Sequence, residues 1–256
     1  MEVWSHRGRT SQKQLGNSYT GFLSLNNMEI TGIETDICLT KDREVIIYHP
    51  KSVTPDPKLL TLEEIRYSIF DIMDLDLFLL YLKYSQVCCC LDIKQNSNHL
   101  VEMAVEAIVR HGLQDRVYLT AFQKSMDCPP FNIESDGQLL ILAKRICPEI
   151  KTHVIVAWPY DLLKIADKYQ PNAISIGWLL EPPVVGLMSR TIFKTLSSVV
   201  NLSEQIEKIK LRGIRVLAGV FNNPEDMLYF ASMGVDGIMT DEPKILIDLI
   251  KAKKIP

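Results

Sequence analysis

Short β-rich segments alternate with longer helical segments along most of the 256-residue chain, and this alternation is the strongest constraint on its fold. Most of the β-rich segments are nearly continuous apolar runs, which indicates strands that are buried on both faces. Parallel strands covered by helices are buried in this way. The strand candidates are Glu2–Ser5, Gly32–Cys38, Glu44–Tyr48, Val87–Ile93, Arg116–Thr120, Thr152–Ala157, Ala173–Ile176, Arg215–Val220 and Gly237–Met239.

About eight strand–helix units predict an α/β fold, a (β/α)8 barrel of the TIM type that covers residues 1–256 as a single catalytic domain. An open doubly wound sheet is the weaker alternative. Between the second and third strand candidates, residues 39–43 are too few for a helical crossover. The barrel therefore either lacks a helix there or makes a hairpin-like excursion. The stretch Gly177–Asn201 is predicted as an irregular insert, either a lid or a peripheral loop.

The composition limits the partners of the chain. With 28 basic and 31 acidic residues, it has no overall field that would attract nucleic acid or an anionic membrane. The run Cys88–Cys90 suits a disulfide framework poorly and indicates a reducing compartment. No apolar run reaches the ~18 residues of a membrane span, and no signal peptide follows Met1. We therefore expect a cytoplasmic protein without stable membrane insertion; the sequence does not indicate its oligomeric state.

Ionisable residues end several strand candidates, although a charge buried in a barrel is unfavourable unless it is paired, hydrated or bound to metal. In a barrel the carboxyl ends of the strands form the active-site face, so these side chains should meet at one mouth. Four successive candidates end in this way, with His6 and Arg7, Glu34 and Asp36, His49, and Asp92 and Lys94.

The acidic members of this group predict a metal site. Glu34 and Asp36 are two residues apart on a strand and share a face, and Asp92 would join them at the mouth. Three carboxylates at one point repel each other, and a hard divalent cation, Mg²⁺ or Ca²⁺, removes this penalty. The lack of converging cysteines argues against a zinc thiolate site.

A set of ordered motifs runs through nearly the whole chain. They are Ser5–Gly8, Gly32–Ile37, Leu39–Asp42, Val45–His49, Leu91–Lys94 and Gly234–Pro243. Together they resemble the glycerophosphodiester phosphodiesterase family. The resemblance implies a (β/α)-barrel enzyme that uses a divalent cation to hydrolyse glycerophosphodiesters, small-molecule substrates, to an alcohol and glycerol 3-phosphate.

The resemblance also implies roles for the strand-end residues. His6 and His49 would be the general acid and base, in an order that the sequence leaves open. Arg7 and Lys94 would neutralise the phosphodiester, while the attacking group would be water or a neighbouring hydroxyl of the substrate. The metal ligands would be Glu34, Asp36 and Asp92.

The chain departs from the family pattern at four places. Gly16 precedes Asn17 where a glutamate is frequent, Pro50 replaces an aspartate, and Gly219 lies in the segment that commonly holds a Trp-Thr pair. Asp92 replaces a glutamate and also resembles the sphingomyelinase D-like phospholipases. Two alternatives therefore stay open: a phospholipase D-like hydrolase acting on lysophospholipids or sphingomyelin, and a barrel that binds a phosphorylated ligand without turnover.

Other candidates have weaker support. Trp158 and Trp178 either line the substrate mouth or pack under loops. We interpret His153 as structural, and we expect Asp241 to shape the last strand and the turn that follows it.

Overall fold

The structure is a computed structural model that describes residues 1–50, 56–69, 71–128, 131–133, 135–156, 161–179 and 183–255. The strands are β1 (Glu2–His6), β2 (Gly32–Leu39), β3 (Val45–Ile47), β4 (Met73–Asp74), β5 (Cys88–Ile93), β6 (Val117–Phe122), β7 (Met126–Cys128), β8 (Phe131–Ile133), β9 (Lys151–Val156), β10 (Ala173–Ile176), β11 (Arg215–Ala218) and β12 (Gly237–Thr240). The α-helices are α1 (Tyr19–Ser24), α2 (Leu62–Ser68), α3 (Leu75–Ser85), α4 (Asn98–His111), α5 (Gln138–Ile146), α6 (Leu162–Tyr169), α7 (Pro183–Val199), α8 (Leu202–Leu211), α9 (Pro224–Ser232) and α10 (Pro243–Lys251).

Eight parallel strands form a closed barrel, in the order β1, β2, β5, β6, β9, β10, β11 and β12. The ring closes because β1 pairs with both β2 and β12. The predicted TIM-type (β/α)8 fold is therefore confirmed.

Helix α4 shows how the sequence builds the outer layer. The Ser97 hydroxyl accepts a hydrogen bond from the Leu100 N–H and begins the helix, and Gly112, with φ of +68°, ends it. Apolar residues three and four positions apart, including Leu100, Ala104 and Ile108, are buried against the barrel. Burial of each leucine or isoleucine contributes roughly 1.5–3 kcal/mol, so packing explains why this segment is helical.

A second apolar cluster lies inside the barrel. Because side chains alternate along a strand, residues two positions further on face the same interior, nearer to the mouth at the carboxyl ends. The apolar cluster therefore closes the lower barrel and leaves the mouth for other side chains. Its members are Trp4, Cys90, Tyr118, Ala173, Leu217 and Met239.

The irregularity predicted between the second and third strand candidates is a hairpin. Strand β2 continues to Leu39, and β3 pairs antiparallel with it, Ile47 lying opposite Ile37. In the turn, the Thr40 hydroxyl donates to the Asp42 carboxylate at 2.5 Å. Helices α2 and α3 then lead to β5. Of the two alternatives for this segment, the structure therefore shows the hairpin: the candidate Glu44–Tyr48 contains a strand outside the barrel ring, and His49 follows it.

The prediction of an irregular insert over Gly177–Asn201 was also wrong, since helix α7 occupies most of it. Its exposed face carries large apolar side chains such as Leu187, at 67 % exposure, while Ser189 and Ser197 are buried. The apolar residues of α7 thus have helical spacing but face solvent, the reverse of the usual amphipathic arrangement. Within the described ranges, no helix is long and apolar enough to cross a bilayer.

Candidate active site

Three carboxylates meet at the mouth of the barrel. Glu34 and Asp36 share the interior face of β2, and Asp92 on β5 lies directly opposite Asp36 in the strand register. Each residue offers an oxygen within 4.8 Å of those of the other two, and all three residues are buried. The structure thus brings together the three residues predicted as metal ligands.

Two cations contact the central carboxylate of this group. The Lys94 Nζ lies 2.8 Å from Asp36 Oδ1 and also contacts Asp92, while the Arg7 Nε lies 3.0 Å from Asp36 Oδ2. Burial by itself would raise the pKa of Asp36, but the charges of Lys94 and Arg7 outweigh it and lower that pKa. Asp36 is therefore an anion fixed between the two predicted phosphate-binding residues.

The other two carboxylates are less well compensated. Burial raises the pKa of Glu34 well above its usual range and, against the opposing charge of Lys94, raises the pKa of Asp92 to about 6. Among the described residues, the buried Asp92 Oδ1 has no hydrogen-bond partner. An unsatisfied buried oxygen beside two further carboxylates fits a hard divalent cation, which prefers oxygen ligands.

The loop after β1 holds the carboxylates in place. Arg7 adopts a left-handed conformation, with φ of +55°, and its backbone N–H donates to Glu34 Oε2 at 3.2 Å. The Asn17 amide donates to Asp36 Oδ2 at 2.8 Å and accepts from the Thr35 hydroxyl at 2.7 Å. No role was predicted for Asn17. The available signal was its place directly after Gly16, one of the four departures from the family pattern.

His6 is oriented by a residue from the other end of the chain. Its Nδ1 lies 2.8 Å from Asp241 Oδ1, and its Nε2 lies 3.7 Å from Glu34 Oε2. The Asn222 amide and the Arg9 guanidinium both donate to Asp241, at 2.8 and 3.2 Å. A carboxylate at Nδ1 selects the tautomer that leaves Nε2 free to accept a proton at the site. Asp241 therefore does more than shape the last strand.

His49 reaches the same mouth by way of the hairpin. Past Leu39 the chain turns back, and the Tyr48 N–H donates to the Asp36 carbonyl at 2.9 Å, so His49 lies beside the carboxylates. Burial lowers the pKa of His49 to about 3; Asp36 opposes this shift, and Arg7 adds to it. His49 is therefore neutral at pH 7, in reach of the charges that also act on His6.

Other predicted candidates lie away from this cluster. Trp178 is buried among aromatic rings, with that of Phe221 at 4.6 Å and that of Phe230 on α9 at 5.1 Å, so it packs in the core outside the barrel. His153 is buried inside the barrel, 2.7 Å from the Ser175 hydroxyl and 3.1 Å from that of Thr120, as expected for a structural histidine. Trp158 lies outside the described residues.

Two of the four departures from the family pattern, Gly16 and Gly219, lie where the structure leaves no room for a larger side chain. At Gly16, an added Cβ would lie 2.7 Å from Arg7 Cβ and 2.8 Å from Arg9 Nε, so two arginine side chains fill the space beside it. At Gly219, an added Cβ would lie 2.5 Å from Met239 Cβ. A larger side chain at either position would displace its neighbours.

Comparison with known proteins decides the family. The model of the glycerophosphoryl diester phosphodiesterase family matches residues 6–245. The chain belongs to this family. It is therefore a phosphoric diester hydrolase, and the alternative of a barrel that binds without turnover is not supported.

Relatives extend the match over the whole chain. A glycerophosphodiester phosphodiesterase of Caldanaerobacter subterraneus is 22% identical, the alignment covering 97% of each chain. A glycerophosphodiester phosphodiesterase structure from Parabacteroides distasonis is 15% identical, covers 98% of both chains and gives a TM-score of 0.74. A phosphodiesterase of Oleispira antarctica, solved with the product sn-glycerol-3-phosphate, is 17% identical, covers 98% of this chain and 97% of its own, and gives a TM-score of 0.73. At these identities, the structures support the fold.

Proposed function

We propose that the protein hydrolyses glycerophosphodiesters to an alcohol and glycerol 3-phosphate with the help of one divalent cation, Mg²⁺ or Ca²⁺. The observation that carries the proposal is the cluster of Glu34, Asp36 and Asp92, whose oxygens lie within 4.8 Å of one another at the barrel mouth. These three residues would hold the cation. When bound, it would supply positive charge to the phosphate oxygens.

The side chains around the cluster suit phosphodiester chemistry. Arg7 and Lys94 would bind the phosphate and stabilise the extra negative charge that develops on it. Of His6 and His49, one would accept the proton of the attacking hydroxyl and the other would protonate the departing alkoxide. The Asp241 contact supports this role for His6, because it fixes the tautomer and stabilises the protonated ring.

The proposal is tested by the release of glycerol 3-phosphate from glycerophosphocholine. We expect the activity to disappear in EDTA, to return with Mg²⁺ or Ca²⁺, and to be lost in His6→Ala. The control is His99→Ala, since His99 is an exposed residue on α4. Full activity in EDTA would refute the metal requirement, and full activity of His6→Ala would refute the role of the histidine.

A phospholipase D-like hydrolase acting on lysophospholipids or sphingomyelin is the second candidate. The observation that favours this candidate is the exposed apolar face of α7, with Leu187 and Met188 at 67 and 59 % exposure, because such a face suits contact with lipid. Hydrolysis of lysophosphatidylcholine, with glycerophosphocholine left intact, would favour this candidate.

We also propose that residues 1–256 act as one catalytic domain in the cytoplasm. Five cysteines in the described part of the chain are free, as expected in a reducing compartment. Fractionation of cells that express the protein, followed by immunoblotting, tests the compartment.

A further inference from the structure

Half of the barrel mouth carries no charged side chain from its strands. The interior face of each strand is defined by the apolar cluster of the lower barrel, which includes Tyr118, Ala173 and Leu217. Counting in twos from that cluster, or for β9 from its register with β6, gives the interior position at the mouth, within one residue of the strand end. For β6, β9, β10 and β11 in turn, these positions hold Phe122, Ile155, Gly177 and Gly219.

Phe122 and Ile155 form an apolar wall in this half. They lie directly opposite each other in the β6–β9 register, so their side chains are neighbours on one face. Both are partly exposed, and neither belongs to an apolar cluster of the described residues. The next residues back along the strands, Ala121 and Val154, are buried in the outer core. Phe122 and Ile155 therefore face the mouth.

The two glycines leave this wall uncovered. A Cβ at Gly177 would lie 2.8 Å from the carbonyl oxygen of Gly219, and one at Gly219 would lie 2.5 Å from Met239 Cβ. The Gly219 backbone therefore leaves no room for a side chain at Gly177, and Met239 on β12 leaves none at Gly219. At the four interior positions of this half, all of which the structure describes, a substrate thus meets two apolar side chains and backbone, and no charged side chain.

We propose that Phe122 and Ile155 determine substrate specificity by binding an aliphatic group of the phosphodiester. The inference rests on the proposed function, which places the phosphate at the carboxylate half of the mouth. A polar group against this wall would lose water without gaining a hydrogen bond, whereas an aliphatic group gains from leaving water. The aliphatic group belongs either to the alcohol or to an acyl chain on the glycerol.

Two substrate series test the proposal and distinguish these sources. The first contains glycerol 3-phosphate esters of ethanol, butanol and hexanol, and the second contains lysophosphatidylcholines with acyl chains of six, eight and ten carbons, below the concentration of micelle formation. We expect kcat/KM to rise by about two- to fourfold for each added methylene in one series. If the alcohol series shows this rise, the ester of 3,3-dimethylbutanol should be cleaved at least as well as its cationic isostere glycerophosphocholine.

Two variants test the residues. Ile155→Thr keeps the branch at Cβ but replaces the ethyl group with a hydroxyl, and Phe122→Tyr keeps the ring and adds a hydroxyl. Both should reduce the dependence of kcat/KM on chain length, each measured against its own shortest substrate so that a general loss of activity cancels. Ile247→Thr is the matched control, because Ile247 is half-buried on α10, away from the mouth.

The outcomes separate this inference from the function on which it rests. If the native enzyme hydrolyses phosphodiesters with no dependence on chain length, the inference fails and the proposed function stands. A chain-length dependence that both variants retain also overturns it. If no phosphodiester is hydrolysed, the proposed function fails and takes the inference with it.

Discussion

The two halves of the barrel mouth are built on parallel strands of the same barrel, yet they differ in chemistry. The half from β1, β2 and β5 gathers three carboxylates, a histidine and two cations, while the half from β6, β9, β10 and β11 shows Phe122, Ile155 and two glycines. The charged groups are therefore concentrated where they can act on one phosphate. The comparison shows that the fold supplies a ring of equivalent positions, and that the side chains decide which arc carries the reaction.

Two histidines inside the barrel illustrate the same contrast. His6 in the charged half contacts a carboxylate, that of Asp241, and faces a metal-ligand candidate. His153 in the uncharged half contacts two hydroxyls and no charge. One residue type thus has two expected roles, proton transfer and satisfaction of a buried polar core, and its neighbours decide between them.

Loss of a carboxylate from the charged half should have the largest effect. In Glu34→Gln we expect kcat/KM to fall at least about 1000-fold, roughly 4 kcal/mol, because the cation and the charge it supplies are lost. Steady-state kinetics at saturating Mg²⁺ or Ca²⁺ measures this change. Glu106→Gln, on the exposed face of α4, is the control. A Glu34→Gln enzyme within tenfold of the native one would remove Glu34 from the metal site.

The second largest effect is expected at Asp241, whose carboxylate orients His6. In Asp241→Asn the ring loses the carboxylate that selects its tautomer, so we expect kcat to fall about 100- to 1000-fold with little change in KM. In Asn222→Ala the effect should be smaller, because Asp241 would still contact Arg9. A change confined to KM would show that Asp241 serves binding alone.

In the uncharged half, the expected effect is on stability rather than on rate. Burial lowers the pKa of His153 to about 3, below the 6.5 of an exposed histidine. As the pH falls below 6.5 the unfolded chain takes up the proton first, so the native state loses up to about 1.4 kcal/mol per pH unit until the lower pKa is reached. In His153→Gln this contribution to the slope should be absent, while kcat at pH 7.5 changes little.

Urea denaturation at pH 7, 6 and 5 measures the slope for the native protein and the variant, and His99→Gln serves as the exposed control. Equal slopes for the native protein and His153→Gln would contradict the buried neutral state.

The smallest effect is expected at Gly16, in the loop that contacts Arg7 and Arg9. In Gly16→Ala the new methyl would press on Arg7 and Arg9, so we expect KM to rise about fivefold, near 1 kcal/mol, with kcat less affected. The same kinetic assay measures it. An unchanged KM would show that the arginines adjust without consequence for the phosphate.

Much of the fold could be predicted because its signals are local. Alternating apolar runs and helical segments indicate a barrel, and the spacing of Glu34 and Asp36 places both carboxylates on one face of β2. The route to His49 was harder to predict, because a three-residue strand in a hairpin and a barrel strand show the same short apolar run. Helix α7 was missed because Pro182 and Pro183 suggest a loop, although a proline is compatible with the first turn of a helix and α7 begins at Pro183.

The sequence pattern did not predict the contacts of Asp241 and Asn17. The Asp241 partner is 235 residues away, and no local periodicity reports it. Asn17 acts from a loop through its amide, a group that serves in turns as often as in sites. Such residues become visible only when the strands are placed side by side.

Because β1 pairs with β12, the first and last strands of the barrel meet, and this sets the moment at which the enzyme becomes competent. During synthesis on the ribosome, β1 keeps one edge unpaired until β12 has been translated. Until then His6 has no Asp241 to orient it, so a nascent chain would lack the contact that prepares this histidine for proton transfer. Barrel closure and the onset of efficient hydrolysis would thus coincide.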